Sequence, residues 1–290
     1  MDLRLLGYFV AVVDEGHIGR AAARLHMTQP PLSRAMQRLE SDLGVPLLVR
    51  TPAGVRPTDA GAVLHAEARA LLARADAARE RVAGAGLLTV GTLAGSVDTD
   101  TAGAAAAFRA ASPDVRVRIR EAGLDDPSAG LRTGVVDVAV TRLPFGTDGL
   151  SVRPLRADPV GVILLADDSL ADRDDVTLRD LRGRRWFRFP EGTDRLWAEY
   201  WTGPAASAGA TGQEGPVVRT VQECLHAVLW SGAVGLGPAH AEPDGFLPDG
   251  LVWVPVRDLP PSRLVLAWPA GSASRRVARF VEVTEAVYRG

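Results

Sequence analysis

The chain has 290 residues, a length that suits two or three domains of about 100–200 residues each. It is 47% hydrophobic and 23% charged with a net charge of −2, so it can bury a sizeable core, and any nucleic-acid surface has to be local because bulk charge supplies none. No apolar run reaches the roughly 18 residues that span a bilayer, the apolar start carries Asp2 and Arg4 without a cleavage site, and the lone Cys224 excludes an intramolecular disulfide, so a cytoplasmic location is expected.

Leu3, Leu6, Val10 and Val13 recur at spacings of three and four, which predicts a helix over 3–13 that ends at Gly16. Ile18, Ala21, Ala22 and Leu25 predict a short second helix. Thr28 is placed to cap a third, with Pro30 and Pro31 in its first turn, where backbone N–H groups have no helical partner. Leu32, Met36, Leu39 and Leu43 form its buried face, and Gly44 stops it. The runs 45–50 and 55–57 around a Pro/Gly turn read as a hairpin. Thr58 and Asp59 cap a long helix over 60–83, with Val63, Leu64, Ala68, Leu71, Leu72, Ala75 and Val82 on one side. A stripe of that length needs a covering partner, so this helix is read as a dimerisation linker, ended by Gly84 and Gly86.

From Leu87 the texture alternates between strand and helix. Strands are expected at 87–93, 115–120, 136–141, 160–165, 217–221, 234–237, 251–256 and 263–268. Helices are expected near 98–111, 126–133, 193–201, 222–231 and 273–288. This alternation predicts an α/β region with mostly parallel sheets, and the Gly/Ala/Pro-rich stretch 202–216 reads as a loop.

The third helix also carries a polar face. Gln29, Ser33 and Gln37 repeat every four residues, with Arg34 and Arg38 beside them and no acid before Glu40. Such donors and acceptors suit base edges, and guanidinium groups suit phosphates or guanine. Arg50 and Arg56 flank the hairpin and suit phosphates. Residues 1–58 hold seven arginines against five acids, a local excess over the whole chain. On spacing alone, a solvated polar face is an equal reading.

Phe9–Val13, Ala21–Arg34, Leu39-Glu40, Leu43–Leu47, Arg50-Thr51, Gly54-Val55 and Thr58–Gly61 together resemble the N-terminal domain of LysR-type transcriptional regulators. The resemblance implies that Thr28, Gln29, Pro30, Pro31, Ser33, Arg34, Gln37 and Arg38 form the DNA-facing set, with Arg50 and Arg56 on a wing that straddles the backbone. Three departures stand out. His17 replaces a capping Ser, which predicts a weaker second-helix cap. Gly19 replaces Thr or Ser, and Ala53 replaces a wing-tip Arg. Together they predict weakened or altered DNA affinity.

More loosely, Phe108-Arg109, Pro113–Val115, Asp137–Ala139 and Gly232–Pro238 resemble the family's effector domain, a two-lobed fold like a type 2 periplasmic binding protein. The implied organisation is a winged helix-turn-helix domain at 1–58, a linker helix at 59–86 and an effector domain at 87–290. Lobe I would be 87–158 plus 269–290, and lobe II 159–268. An effector would bind between the lobes, at Gly95, Ser96, Leu124, Thr141, Arg142, Phe189 and Thr220. The strings 137–143 and 218–222 resemble regulators of aromatic-acid degradation, which implies that Arg142 meets an effector carboxylate. Its alternative role is a structural ion pair, and that of Ser96 a plain helix cap. Leu124 stands where a polar residue is common in that subgroup, so muconate-like diacids are not implied. Trp186, Trp197, Trp201 and Trp230 are either core or cleft aromatics.

Enzyme chemistry lacks its parts. His17, His26, His65, His226 and His240 show no metal-ligand spacing, and Gly232–Gly237 lacks the Lys-Ser/Thr of a phosphate loop. No metal or cofactor is implied. Cys224 has no resolving cysteine, so a buried thiol is expected. The partners implied are double-stranded promoter DNA with inverted repeats, a small effector, RNA polymerase and further copies of the chain as a homodimer or homotetramer, with no membrane. The competing classes are a solute-binding protein or enzyme on the same fold, and an architectural DNA-binding protein without a ligand.

Overall fold

The structure, a computed structural model, describes residues 2–52, 54–83, 86–95, 100–203, 215–239 and 247–289. Ala53, Gly84, Ser96 and His240 lie outside the described residues, as does most of 202–216. The chain divides into two compact units, Met1–Ala85 and Gly86–Gly290.

In the first unit, α1 (Leu3–Glu15) begins at Asp2, whose carboxylate accepts the Arg4 N–H at 2.8 Å, and ends at Gly16 with φ 60°. It is followed by α2 (Ile18–Arg24), α3 (Gln29–Leu43), the antiparallel hairpin β1 (Leu48–Thr51) and β2 (Gly54–Pro57), and α4 (Asp59–Ala83). Leu6, Phe9 and Val12 of α1 are fully buried and pack against Ala21, Leu32, Leu39, Leu47 and Ala68. The face of α1 is rotated from the expected one: Leu5, Leu6, Phe9 and Val12 are buried, Leu3 is 40% exposed, and Val10 and Val13 are half-buried. On α3, Leu43 is 40% exposed. One small core still fixes all three N-terminal helices.

Of the two expected caps, one forms and one does not. His17 does cap α2: its Nδ1 accepts the Gly19 N–H at 3.1 Å. A Cβ on Gly19 would lie 3.3 Å from the His17 ring, so the two departures from the family pattern accommodate each other. Thr28 occupies the cap position of α3 but its hydroxyl makes no capping bond. The N–H groups it would serve belong to the second and third helical residues, which are Pro30 and Pro31 and carry none.

The wing is fastened at both ends. Glu40 of α3 accepts the N–H groups of Leu47 (2.8 Å) and Leu48 (3.1 Å). Thr58 donates to the Pro46 carbonyl at 2.8 Å and accepts the Gly61 N–H at 3.0 Å. The apolar stripe on α4 is divided rather than continuous. Leu64, Ala68 and Leu72 pack onto the unit's own core, while Leu71 and Val82 are 38% and 88% exposed.

The second unit holds two sheets. The first, in the order β4–β3–β5–β10–β6, combines β3 (Leu87–Leu93), β4 (Arg116–Ala122), β5 (Val138–Leu143), β6 (Leu150–Asp158) and β10 (Ser262–Pro269). On it lie α5 (Thr101–Ala111) and α8 (Arg275–Arg289), joined by an edge-to-face Phe108–Phe280 pair at 5.1 Å. The second sheet runs β8–β7–β9, from β7 (Val160–Leu165), β8 (Gly235–Pro238) and β9 (Leu251–Pro255), beside α6 (Arg195–Thr202) and α7 (Val221–Ser231).

Here the structure departs from several expectations. Among the described residues the parallel ladders are β3 with β4 and β3 with β5, alongside three isolated parallel bridges (Val176–Val256, Trp186–Val234 and Arg188–Val217). The other ladders, including both in the second sheet, are antiparallel. Residues 126–133 form turns instead of a helix. The Asp126 carboxylate binds the N–H groups of Ser128 and Gly130, and Ala129 and Gly130 take φ of 50° and 90°, a local network that displaces helical bonding. Residues 217–221 supply a single bridge at Val217 before α7 starts. Ser262–Pro269 is hydrogen-bonded between β5 and β6, so it belongs with the first lobe and not, as 159–268 assumed, with the second.

A Cβ on Gly61 would sit 2.0 Å from the Leu47 carbonyl oxygen, so α4 can cross the hairpin only because that position is glycine. Gly61→Ala is therefore expected to destabilise the N-terminal unit by about 1–3 kcal/mol. In differential scanning calorimetry its transition should fall by at least about 4 °C; an unchanged transition would contradict this packing.

Candidate functional site

Two places in the chain combine exposed or enclosed chemistry with a rigid frame. The first is the outer face of α3 with the wing. Thr28, Gln29, Pro30, Arg34, Gln37 and Arg38 are exposed, and Pro31 and Ser33 are half-buried. Arg50 and Arg56 are exposed on neighbouring strands. Register pairs Val49 with Arg56 and Arg50 with Val55, so the two guanidinium groups leave opposite faces of the hairpin.

The acids of this unit that pair with arginines lie on α1, at its N-terminal cap, or on α4; Glu40 and Asp42 stand on α3 itself, near its C-terminal end. Arg4 pairs with Asp2 at 3.7 Å, Arg24 with Glu15 at 3.2 Å, and Arg69 with Asp14 at 3.8 Å. His65 meets Asp14 at 2.8 Å. Among the described residues no carboxylate pairs with Arg34, Arg38, Arg50 or Arg56. Arg4, Arg20, Arg24, Arg69 and Arg79 are therefore paired, whereas the four arginines of α3 and the wing are not, and neither is Arg74 on α4. That division localises a positive field on one surface of a chain with negative net charge.

The second place is a cavity of about 80 Å³ in the second unit. Leu124, Arg142 and Phe189 line it, together with Trp197, Trp201 and Cys224. Gly95 does not line it: with φ 75°, it packs on Val221, which does, and a Cβ on Gly95 would come within 3.3 Å of that side chain. Thr220 is the α7 cap and accepts the Glu223 N–H at 3.1 Å. Thr141 donates to the Pro127 carbonyl at 2.6 Å and does not line this cavity. Ser96 lies outside the described residues.

Arg142 is engaged by its own fold. It is buried, its Nη2 lies 2.6 Å from Asp158 Oδ2, and its Nη1 lies 3.4 Å from the Ser262 hydroxyl. Asp158 also accepts Arg156 Nε at 2.6 Å, and Arg156 reaches Asp100 at 2.8 Å. Of the two readings of Arg142, the geometry supplies the structural ion pair. Its partners stand 16 and 120 positions away in sequence, so no local signal announces them.

The tryptophans divide the same way. Trp186, Trp197 and Trp201 are buried, and Trp230 is 87% exposed. Trp197 and Trp201 stand one turn apart on α6, which Asp194 caps through the Leu196 and Trp197 N–H groups. Phe189 tilts against Trp197 at 6.5 Å, and Tyr200 meets Trp201 edge-on at 4.9 Å. These aromatics make one wall of the cavity, so core and cleft roles coincide in Trp197 and Trp201. A wider apolar depression of about 980 Å³ lies between α5, β4 and α8 in the first lobe; Thr141 lines it, and it shares Leu93 and Arg142 with the smaller cavity.

Burial, assisted by neighbouring Glu223, pushes the Cys224 thiol up to about 12. The thiolate is the reactive form. Dithionitrobenzoate at pH 8 is therefore expected to modify native Cys224 on the order of 100-fold more slowly than the urea-unfolded chain. Rates within tenfold of each other would show an accessible thiol.

Comparison with known proteins agrees with this geometry. Residues 3–62 match the model of the bacterial regulatory helix-turn-helix protein, lysR family, and residues 83–289 that of the LysR substrate binding domain. AlsR of Bacillus subtilis (strain 168), an HTH-type transcriptional regulator, is 32% identical over 187 residues, which are 63% of this chain and 62% of AlsR. The HTH-type regulator TfdS of Cupriavidus pinatubonensis is 30% identical over 244 residues, 82% of this chain and 83% of TfdS. The crystal structure of CbnR, a LysR family transcriptional regulator, shares the fold over 100% of both chains with a TM-score of 0.67 at 24% identity. Full-length BenM aligns at 25% identity with a TM-score of 0.56, over 100% of this chain and 97% of BenM. With both family models covering nearly its whole length, the chain belongs to the LysR family of transcriptional regulators.

Proposed function

We propose that this chain is a sequence-specific DNA-binding transcription regulator whose promoter activity is set by a small carboxylate or aromatic molecule bound between the two lobes of its second unit. The observation that carries this reading is the set of four uncompensated arginines on α3 and the wing. Gln29, Ser33, Arg34 and Gln37 read base edges in the major groove, with Thr28, Pro30 and Pro31 setting the approach of the helix. Arg38, Arg50 and Arg56 hold phosphates. The opposite-facing wing arginines suit a hairpin that straddles one backbone.

Leu71 and Val82, eleven residues apart on one face of α4, pair with a second copy to form a homodimer. Edge strand β4 presents exposed Val117 and Ile119, which join dimers into a tetramer. Two pairs of winged helices then grip inverted repeats beside a promoter. Effector binding changes the angle between lobes and the bend of the DNA, and so the contact with RNA polymerase. The protein works in the cytoplasm, and the reading assigns it no catalytic step, metal or cofactor. Among the described residues no helix is long and apolar enough to cross a membrane.

Arg34→Ala is expected to weaken binding to the adjoining intergenic DNA at least about tenfold in a gel shift. Its circular dichroism spectrum should not change; full affinity would sink the assignment. Leu71→Asp with Val82→Asp is expected to sediment as a monomer at concentrations where the parent chain is oligomeric. An oligomer surviving both charges would remove α4 from the interface.

A further inference from the structure

The cavity narrows the chemistry of what it holds. Trp197 and Trp201 line it at 2% and 5% exposure, and neither indole Nε1 has a hydrogen-bond acceptor. An indole N–H is a donor only, and a buried donor without an acceptor carries its full desolvation cost. Folded proteins keep such groups rare. Trp186 Nε1 also lacks an acceptor but lies off the cavity; the two on adjacent turns of α6, both bordering one cavity, point to an acceptor that arrives with a ligand.

The charge of the cavity is already settled. Arg142 is the one charged side chain among the described residues lining it, and Asp158 holds its guanidinium at 2.6 Å. Arg156 and Asp100 extend this into a chain of alternating sign. A ligand carboxylate would have to take Arg142 from Asp158 and leave that carboxylate buried with less compensation, which is costly in an enclosed site. Cys224, which lines the cavity, and Tyr200, behind Trp201, are neutral: burial pushes the thiol and the phenol up to about 12, and the Tyr200 hydroxyl donates to the Pro260 carbonyl. Glu223 beside Cys224 is a negative neighbour that also disfavours a ligand anion.

We propose that the cleft binds an uncharged aromatic molecule carrying a carbonyl or similar neutral acceptor, which receives the indole N–H of Trp197 or Trp201. The inference rests on the cleft reading above and selects the aromatic arm of it over the carboxylate arm. Phe187, Phe189 and the two indoles supply the stacking faces. At about 80 Å³ the cavity is smaller than the roughly 150 Å³ known to admit benzene, so the ligand enters with a shift of these side chains.

Acetophenone and benzoate test the idea, because they share a ring and a planar substituent and differ in charge. The intact chain is labelled with 15N in its tryptophan indoles, and Trp→Phe variants identify the resonances. Acetophenone is expected to move the Trp197 or Trp201 indole signal downfield while exposed Trp230 stays fixed, and benzoate at equal concentration is expected to move neither. Trp197→Phe with Trp201→Phe is expected to lower acetophenone affinity about two- to tenfold with an unchanged circular dichroism spectrum. Benzoate binding at least as tightly as acetophenone would overturn the neutral-ligand inference and leave the cleft reading standing. Ethylbenzene binding as tightly as acetophenone would overturn the acceptor role. No response of either indole to any of the three probes would overturn this inference and the cleft reading together.

Discussion

Asp158 sits where the first sheet hands the chain to the second, at the last residue of β6 and two positions before β7 begins. Ser262, the first residue of β10, is its direct register partner, at the point where the chain returns. Arg142, on β5, donates toward both. One buried ion pair with one hydroxyl therefore joins both crossings between the lobes to the central sheet. The same contact settles the electrostatics of the cleft, because the guanidinium that borders the cavity is consumed by the fold that positions it. A buried pair of this kind is poor evidence of net stability. Its consequence is positional: removing Asp158 strands the buried Arg142 guanidinium, while removing Arg142 leaves Asp158 held by Arg156 alone.

The first unit handles its charge in the opposite way. Asp2, Asp14 and Glu15 all lie at the ends of α1, and they pair with Arg4, Arg20, Arg24, His65 and Arg69. Glu40 of α3 is turned to the backbone at the start of the wing. The surface of α3 and the wing keeps four unneutralised guanidinium groups on a chain of net charge −2. Compensated charge around the cleft and free charge on the winged helix are suited to different ligands, a small neutral molecule and a polyanion.

The helix-turn-helix was legible because its signals are local: apolar residues at helical spacing, glycines at the helix ends and prolines where donors are dispensable. The cap exchange at His17 was not, since a ring nitrogen can replace a hydroxyl only when the next position leaves room, as Gly19 does. Strand β6 escaped notice because it is an edge strand with mixed polarity and Pro154, which falls at the irregularity opposite Leu264 and Val265. Residues 126–133 have a helical pattern, but Asp126 captures the backbone groups a helix would use. In the cleft, Leu124, Arg142 and Phe189 were found from their strand ends and resemblance. Asp158 and Ser262 were not, because pairing across 16 and 120 positions leaves no trace in spacing.

The most direct test of this account is the coupling energy between Arg142 and Asp158 from a double-mutant cycle in urea, using Arg142→Met, Asp158→Leu and the double variant. Asp158→Leu strands the buried Arg142 guanidinium and should cost about 3–5 kcal/mol, Arg142→Met should cost less because Arg156 still holds Asp158, and the double should cost much less than the sum. Single and double variants whose effects simply add would contradict the claim that this pair organises the second unit and neutralises its cleft.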